Sequence, residues 1–94
     1  MFEGFIDYLS ALTLDIISGA DTIILNSVVN VNKAMPFLKG YTAINCYLDN
    51  DNAGKTALAE LTVQYGSAVI DRSTLYSEFN DLNDYLTNQS STIK

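Results

Sequence analysis

Ile6, Leu9, Leu12, Thr13 and Ile16 recur at spacings of three and four, which predicts an amphipathic helix over about residues 5–18. "SGAD" (18–21) ends it, with Gly19 as the stop. "TIILNSVV" (22–29) is a β-branched run and predicts a buried strand. "NVNKAMPFLKG" (30–40) predicts a short helix, capped by Asn30 or Asn32 and ended by Gly40. Pro36 is compatible only with a first turn, so this helix is expected to be distorted.

"YTAINCYL" (41–48) is apolar at both alternating sets of positions except Asn45. A strand buried on both faces belongs to a parallel sheet covered by helices. "AGKTALAELTVQYG" (53–66) predicts a helix with Ala57, Leu58, Leu61 and Tyr65 on one face and Gly66 as its stop. "SAVID" (67–71) predicts a third strand and "LNDYLTN" (82–88) a last helix, with "QSSTIK" (89–94) as a frayed tail. Helices alternating with strands give a three-layer α/β fold with right-handed crossovers. Only Met1 and Phe2 precede the first helix, so a strand leading into Glu3 is a two-residue stub.

The length of 94 residues suits one small domain, and 48% hydrophobic residues supply its core. No apolar run approaches the roughly 18–20 residues of a membrane span. The first residues carry acids and no Lys or Arg, unlike a signal peptide. Cys46 is the one cysteine and there is no histidine. That excludes an internal disulfide and any Ser-His, Cys-His or His-metal catalysis. A metal would have to be held by oxygen, which points to Mg2+, Mn2+ or Ca2+. A lone cysteine is compatible with the cytoplasm, the expected location. Lys33, Lys39, Lys55, Arg72 and Lys94 are the only basic residues, and the net charge is −6. That balance argues against nucleic acid as a partner, unless acids converge on cations that supply local positive charge.

The acids therefore decide the reading. Asp49 and Asp51 follow the 41–48 strand, at the carboxyl edge where ligands gather in open parallel sheets. In extended backbone a spacing of two puts both side chains on one side. Like charges that close stay ionised together only with a cation between them. The following helix adds a positive N-terminal dipole, and Gly54 permits close approach of a backbone or ligand. A capped turn explains the same residues equally well. Asp49, Asp51, Gly54 and Glu60 also occupy positions 1, 3, 6 and 12 of a calcium-binding EF-hand loop. Against that, Ala53 removes a ligand and a strand precedes Asp49 where an EF-hand needs a helix. A phosphatase-type D-x-D nucleophile normally follows a first strand, and this pair lies mid-chain. Glu3 heads the first helix, Asp81 is placed to cap the last one, and Asp84 lies in its first turn.

Taken in order, "FEGFIDYLSAL", "YLDNDNAGKTALAEL" and "NDLNDYL" resemble the Toprim domain, the metal-binding module shared by topoisomerases and primases. The resemblance is closest to bacterial and mobile-element DNA primases and covers nearly the whole chain. It implies a three-layer, Rossmann-like Toprim fold with a small, mostly parallel sheet flanked by helices and a truncated first strand. Residues 1–94 are then a single Toprim domain, expected to be part of a longer protein.

The resemblance also implies roles. Glu3 matches the catalytic acid/base, and Asp49 and Asp51 match the D-x-D that coordinates Mg2+ or Mn2+. Asp81 and Asp84 match later acids of a second cation position, and Asp7 matches a supporting acid behind the site. Gly4 and Gly54 match glycines that keep backbone near the metal. Apart from the resemblance, Lys55, one residue past Gly54, is placed to touch a phosphate, while an ordinary solvated helix residue explains it more readily. The sequence departs from the pattern in three places: the strand before Glu3 is a two-residue stub, "NSVVNVN" lacks the usual glycine, and Asn80 stands where a basic residue often precedes the third motif. The implied activity is nucleotidyl transfer for primer synthesis on single-stranded DNA, with template binding supplied by other parts of a full-length protein. The isolated chain is expected to have little or no activity. A Toprim-type nuclease or topoisomerase, or a non-catalytic interaction module, uses the same acids. No membrane partner is expected. A homodimer through the sheet edge is expected where the first strand is short.

Overall fold

The computed structural model describes residues 1–14 and 21–92, and the side chains of all these except 89–92. Its main elements are α1 (Phe5–Leu14), α2 (Val31–Ala34), β1 (Ile44–Cys46), α3 (Asn52–Tyr65), β2 (Val69–Asp71) and α4 (Leu82–Thr92). Short 3-10 turns occupy Val28–Asn30, Met35–Leu38, Gly66–Ala68 and Ser73–Tyr76.

β1 and β2 pair in parallel, with Ile44 opposite Val69 and Cys46 opposite Asp71. The N-terminal stub extends this sheet. Phe2 forms parallel bridges to Ile24 on one side and Tyr47 on the other. Its N–H donates to the Ile23 carbonyl at 2.9 Å, its carbonyl accepts from Leu25 N–H at 2.9 Å, and Tyr47 N–H donates to the Met1 carbonyl at 2.8 Å. Two residues thus use their backbone groups on both flanks, which fixes the residue that follows, Glu3.

Side-chain alternation sorts the core into two layers. Ile44, Cys46 and Leu48 face Met1, Leu25 and Val31, together with Ala57 and Leu61 of α3. Phe2 and Tyr47 face the opposite way, against Ala11, Tyr76 and Leu82. Their rings stack at 4.8 Å between centroids, and Tyr8 meets Phe2 edge-on at 5.6 Å. The period of two thus puts a helix layer on each side of the sheet, the three-layer arrangement expected from the pattern.

Several elements differ from expectation. The strand expected over 22–29 is reduced to the bridge at Ile24, and Val28–Asn30 turns as 3-10 helix. Asn26 adopts a positive φ of 65°, which breaks the extended run before its β-branched end is reached. The 30–40 helix is split, as Pro36 requires, into α2 and the turn Met35–Leu38. Neither Asn30 nor Asn32 caps it through a side chain. Ser27 instead accepts from Val29 N–H, while Asn30 donates to the Leu25 carbonyl. The last helix runs to Thr92, beyond the expected end at 88. Helix residues 15–18 and the stop at Gly19 lie outside the described residues.

The apolar stripe of α1 points away from the protein. Ile6 and Leu12 are about half exposed at 56% and 48%, whereas Asp7, Ser10 and Ala11 are buried. α1 packs on α4 through this small, polar face. Ser10 Oγ donates to Asn83 Oδ1 at 3.2 Å, and Asn83 N–H donates to Asp7 Oδ1 at 3.2 Å. Hydrogen-bonding partners on α4, rather than hydrophobic periodicity, select the buried face.

Candidate metal centre

Glu3 follows the doubly paired Phe2 and stands at the carboxyl edge of the sheet, half-buried. Asp49 follows β1 at the same edge. Its N–H donates to Glu3 Oε1 at 3.2 Å, a bond that ties residues 46 positions apart. Leu48, just before it, is held by the buried Tyr76 hydroxyl, which donates to the Leu48 carbonyl at 2.8 Å.

Asp51 starts α3. Its backbone is extended (φ −106°, ψ 176°), and its Oδ1 accepts from Gly54 N–H at 2.8 Å. This is an N-cap, so the capped turn and the metal-ligand reading meet in one residue. One carboxylate oxygen is used in the cap and a carboxylate has two. Gly54 is buried against Asp49: a Cβ at position 54 would stand 2.1 Å from the Asp49 carbonyl oxygen. The close approach expected of Gly54 is therefore an approach to the backbone of Asp49.

One carboxylate oxygen from each of Glu3, Asp49 and Asp51 lies within 4.8 Å of the others. Ligand oxygens at about 2.0–2.6 Å from a hard cation are themselves up to about 4–5 Å apart, so this set fits one divalent ion. The electrostatics agree. Burial, first, and then the negative charge of Glu3 push the Asp49 carboxyl up to about 7. Asp7, a shared hydrogen bond with Glu3 and the charge of Asp81 add to this. Burial also raises Asp7 to about 6, opposed by its hydrogen bond from Asn83 and reinforced by Asp81, Glu3 and Asp84. A cation bound among these acids would offset both their burial and their mutual repulsion.

The other sequence-predicted residues surround this group. Asp81 lies close enough to raise both Asp7 and Asp49, but its Oδ1 accepts from Asp84 N–H at 2.8 Å at the start of α4. Asp84 is exposed in the first turn of that helix. Neither belongs to the three-carboxylate group. Asp7 lies buried behind it, between α1 and α4. Gly4 is near Asp7, with a Cβ position 3.6 Å from Asp7 Oδ2. Lys55 is exposed on the wall of a cleft between the β1–α3 loop and the 73–77 segment, opposite Ser73 and Thr74.

Sequence reasoning passed over Asn50, Tyr76 and Asn83. Tyr76 and Asn83 carry no local signal. Asn50 does carry one: an amide placed between two ligand-type acids.

A family model described as Toprim-like matches residues 1–86. No curated protein and no solved structure matches the chain.

Proposed function

This chain belongs to the Toprim-like family, and from that premise we propose that it is the catalytic domain of a DNA primase-like protein. In this reading Glu3, Asp49 and Asp51 hold Mg2+ or Mn2+, and Asp81 with Asp84 forms a second carboxylate position. The observation that carries it is the convergence of three carboxylates, from the stub, the end of β1 and the start of α3, within 4.8 Å. The bound ion supplies neutralisation of charge on phosphate oxygens and alignment of the attacking and leaving oxygens.

The chain's own residues prepare that chemistry. Asp49 N–H holds Glu3 Oε1 in place at 3.2 Å, which orients Glu3 toward the pair as the acid/base group. The Asp49 proton is displaced to solvent when an ion binds, and the Asp51 cap keeps the second ligand in register with α3. Lys55, on the cleft wall beside Asp49, is the residue this reading assigns to a nucleotide phosphate. Five basic residues cannot line a template channel, so single-stranded DNA is gripped by accompanying modules of a cytoplasmic, mobile-element protein. No helix among the described residues is long and apolar enough to cross a membrane. The stub is paired on both flanks, so the self-association in this reading uses an outer edge of the sheet and is read by light scattering across concentrations.

Calorimetric titration with Mg2+ and Mn2+ tests the centre. Wild type is expected to bind, and Asp49→Ala and Asp51→Ala to lose binding. No heat from either ion at millimolar concentration overturns the reading. Primer synthesis by a protein containing this domain, abolished by Glu3→Gln, supports the primase assignment. Cleavage of single-stranded DNA without synthesis assigns a nuclease instead.

A further inference from the structure

Between β2 and α4 the chain runs through one 3-10 turn, Ser73–Tyr76, and then irregularly to Asp81. Such a segment has few backbone bonds of its own, and the carbonyls at the end of a 3-10 turn need outside donors. One side chain supplies them. Asn50 Nδ2 lies 3.4 Å from the Ser73 carbonyl, 3.0 Å from that of Tyr76 and 2.9 Å from that of Phe79. The Asn50 N–H adds a bond to the Asn80 carbonyl at 2.6 Å. An amide nitrogen has two protons, so three carbonyls share two donors and the residue acts as a hub. Capping explains any one of these bonds. Contacts spread from Ser73 to Asn80, stopping one residue before Asp81, do more than cap a turn.

We infer that Asn50 is a positioning residue that registers the 73–80 segment, and through it Asp81, against the Asp49–Asp51 pair. The inference rests on the metal-centre reading. Asn50 occupies the one position where a side chain is covalently tied to both aspartates and still points away from them. Its amide converts an irregular loop into part of the rigid frame of the centre. Asn50 bonds no carboxylate itself and acts through the backbone that carries Asp81; outer groups that fix ligand geometry typically affect metal affinity about 10–100-fold.

The test is a double-mutant cycle read by Mn2+ calorimetry on Asn50→Ala, Asp81→Ala and the double variant, with hydrogen exchange of the 73–81 amides. Expected are an approximately 10-fold weaker Mn2+ affinity for Asn50→Ala, no further loss when it is added to Asp81→Ala, and faster exchange confined to 73–81. A merely structural role makes the two losses multiply, and that result overturns the inference. So does wild-type affinity in Asn50→Ala. If wild type binds no Mn2+, the metal-centre reading fails. Exchange at 73–81 then still decides whether Asn50 registers the segment, and unchanged exchange overturns that. Should Asn50→Ala not fold, Asn50→Ser, which keeps one donor, takes its place in every arm.

Discussion

Glu3 Oε1 accepts the backbone N–H of Asp49 at 3.2 Å, so the first acid of the chain is bonded to the first acid of the central pair. The bond depends on Phe2, whose pairing with both Ile24 and Tyr47 leaves Glu3 little freedom to swing away. It also presses two carboxyl groups together, which adds to the effect of burial in raising the Asp49 carboxyl.

The metal-free protein is therefore expected to lose stability as pH rises. Folded Asp49 (about 7) and Asp7 (about 6) retain protons that the unfolded chain, with ordinary carboxyls at 3.8, has already released. Their contribution is complete below the unfolded value and disappears as pH climbs through the folded ones, a window of about pH 4–7. Thermal melts in a chelator between pH 5 and 8 should show a falling Tm. Saturating Mg2+ should reverse the trend, because cation and proton compete for Asp49. A Tm that rises across this window in chelator would remove the electrostatic account.

Asp49→Asn separates binding from stability. The amide removes the charge that Glu3 repels, so the metal-free variant is expected to melt a few degrees higher while Mn2+ binding is lost. Calorimetry and melts on the same sample check both halves.

The two glycines predict opposite outcomes. Gly54→Ala places a methyl 2.1 Å from the Asp49 carbonyl oxygen, and backbone must move to admit it. A loss of about 1–3 kcal/mol by urea unfolding, with weakened metal binding, is expected. Gly4→Ala meets only Asp7 Oδ2 at 3.6 Å and should stay within about 0.5 kcal/mol of wild type.

Tyr76→Phe deletes the donor to the Leu48 carbonyl and leaves a buried acceptor one residue before Asp49. Urea unfolding is expected to show a loss of about 1–3 kcal/mol. A neutral result would mean that another donor reaches that carbonyl.

Much of the centre was legible because it is local. Asp51 as a cap, the α3 span and the Gly66 stop follow from residues within a few positions of one another, and the structure has α3 over Asn52–Tyr65 with Gly66 at φ 57°. The strand at 22–29 misled for the same reason: its β-branched residues favour extension, but the backbone turns at Asn26 and Ser27 caps a new helical turn. In α1 the apolar period correctly marked a helix and not the buried face, since that choice depends on Asn83, 76 positions from Asp7.

By itself, then, the sequence determined the α/β alternation, the two-sided burial of the central strand and the acids with their order. Each of these rests on short-range propensity and spacing. Only the tertiary structure decided how Glu3 reaches Asp49, through the doubly paired Phe2, and that Asp81, the cap expected from local sequence, stands outside the three-carboxylate group. It also decided that Asn50 holds three carbonyls of a distant loop. Those outcomes turn on which unsatisfied backbone groups meet across the folded chain, and no local pattern encodes that meeting.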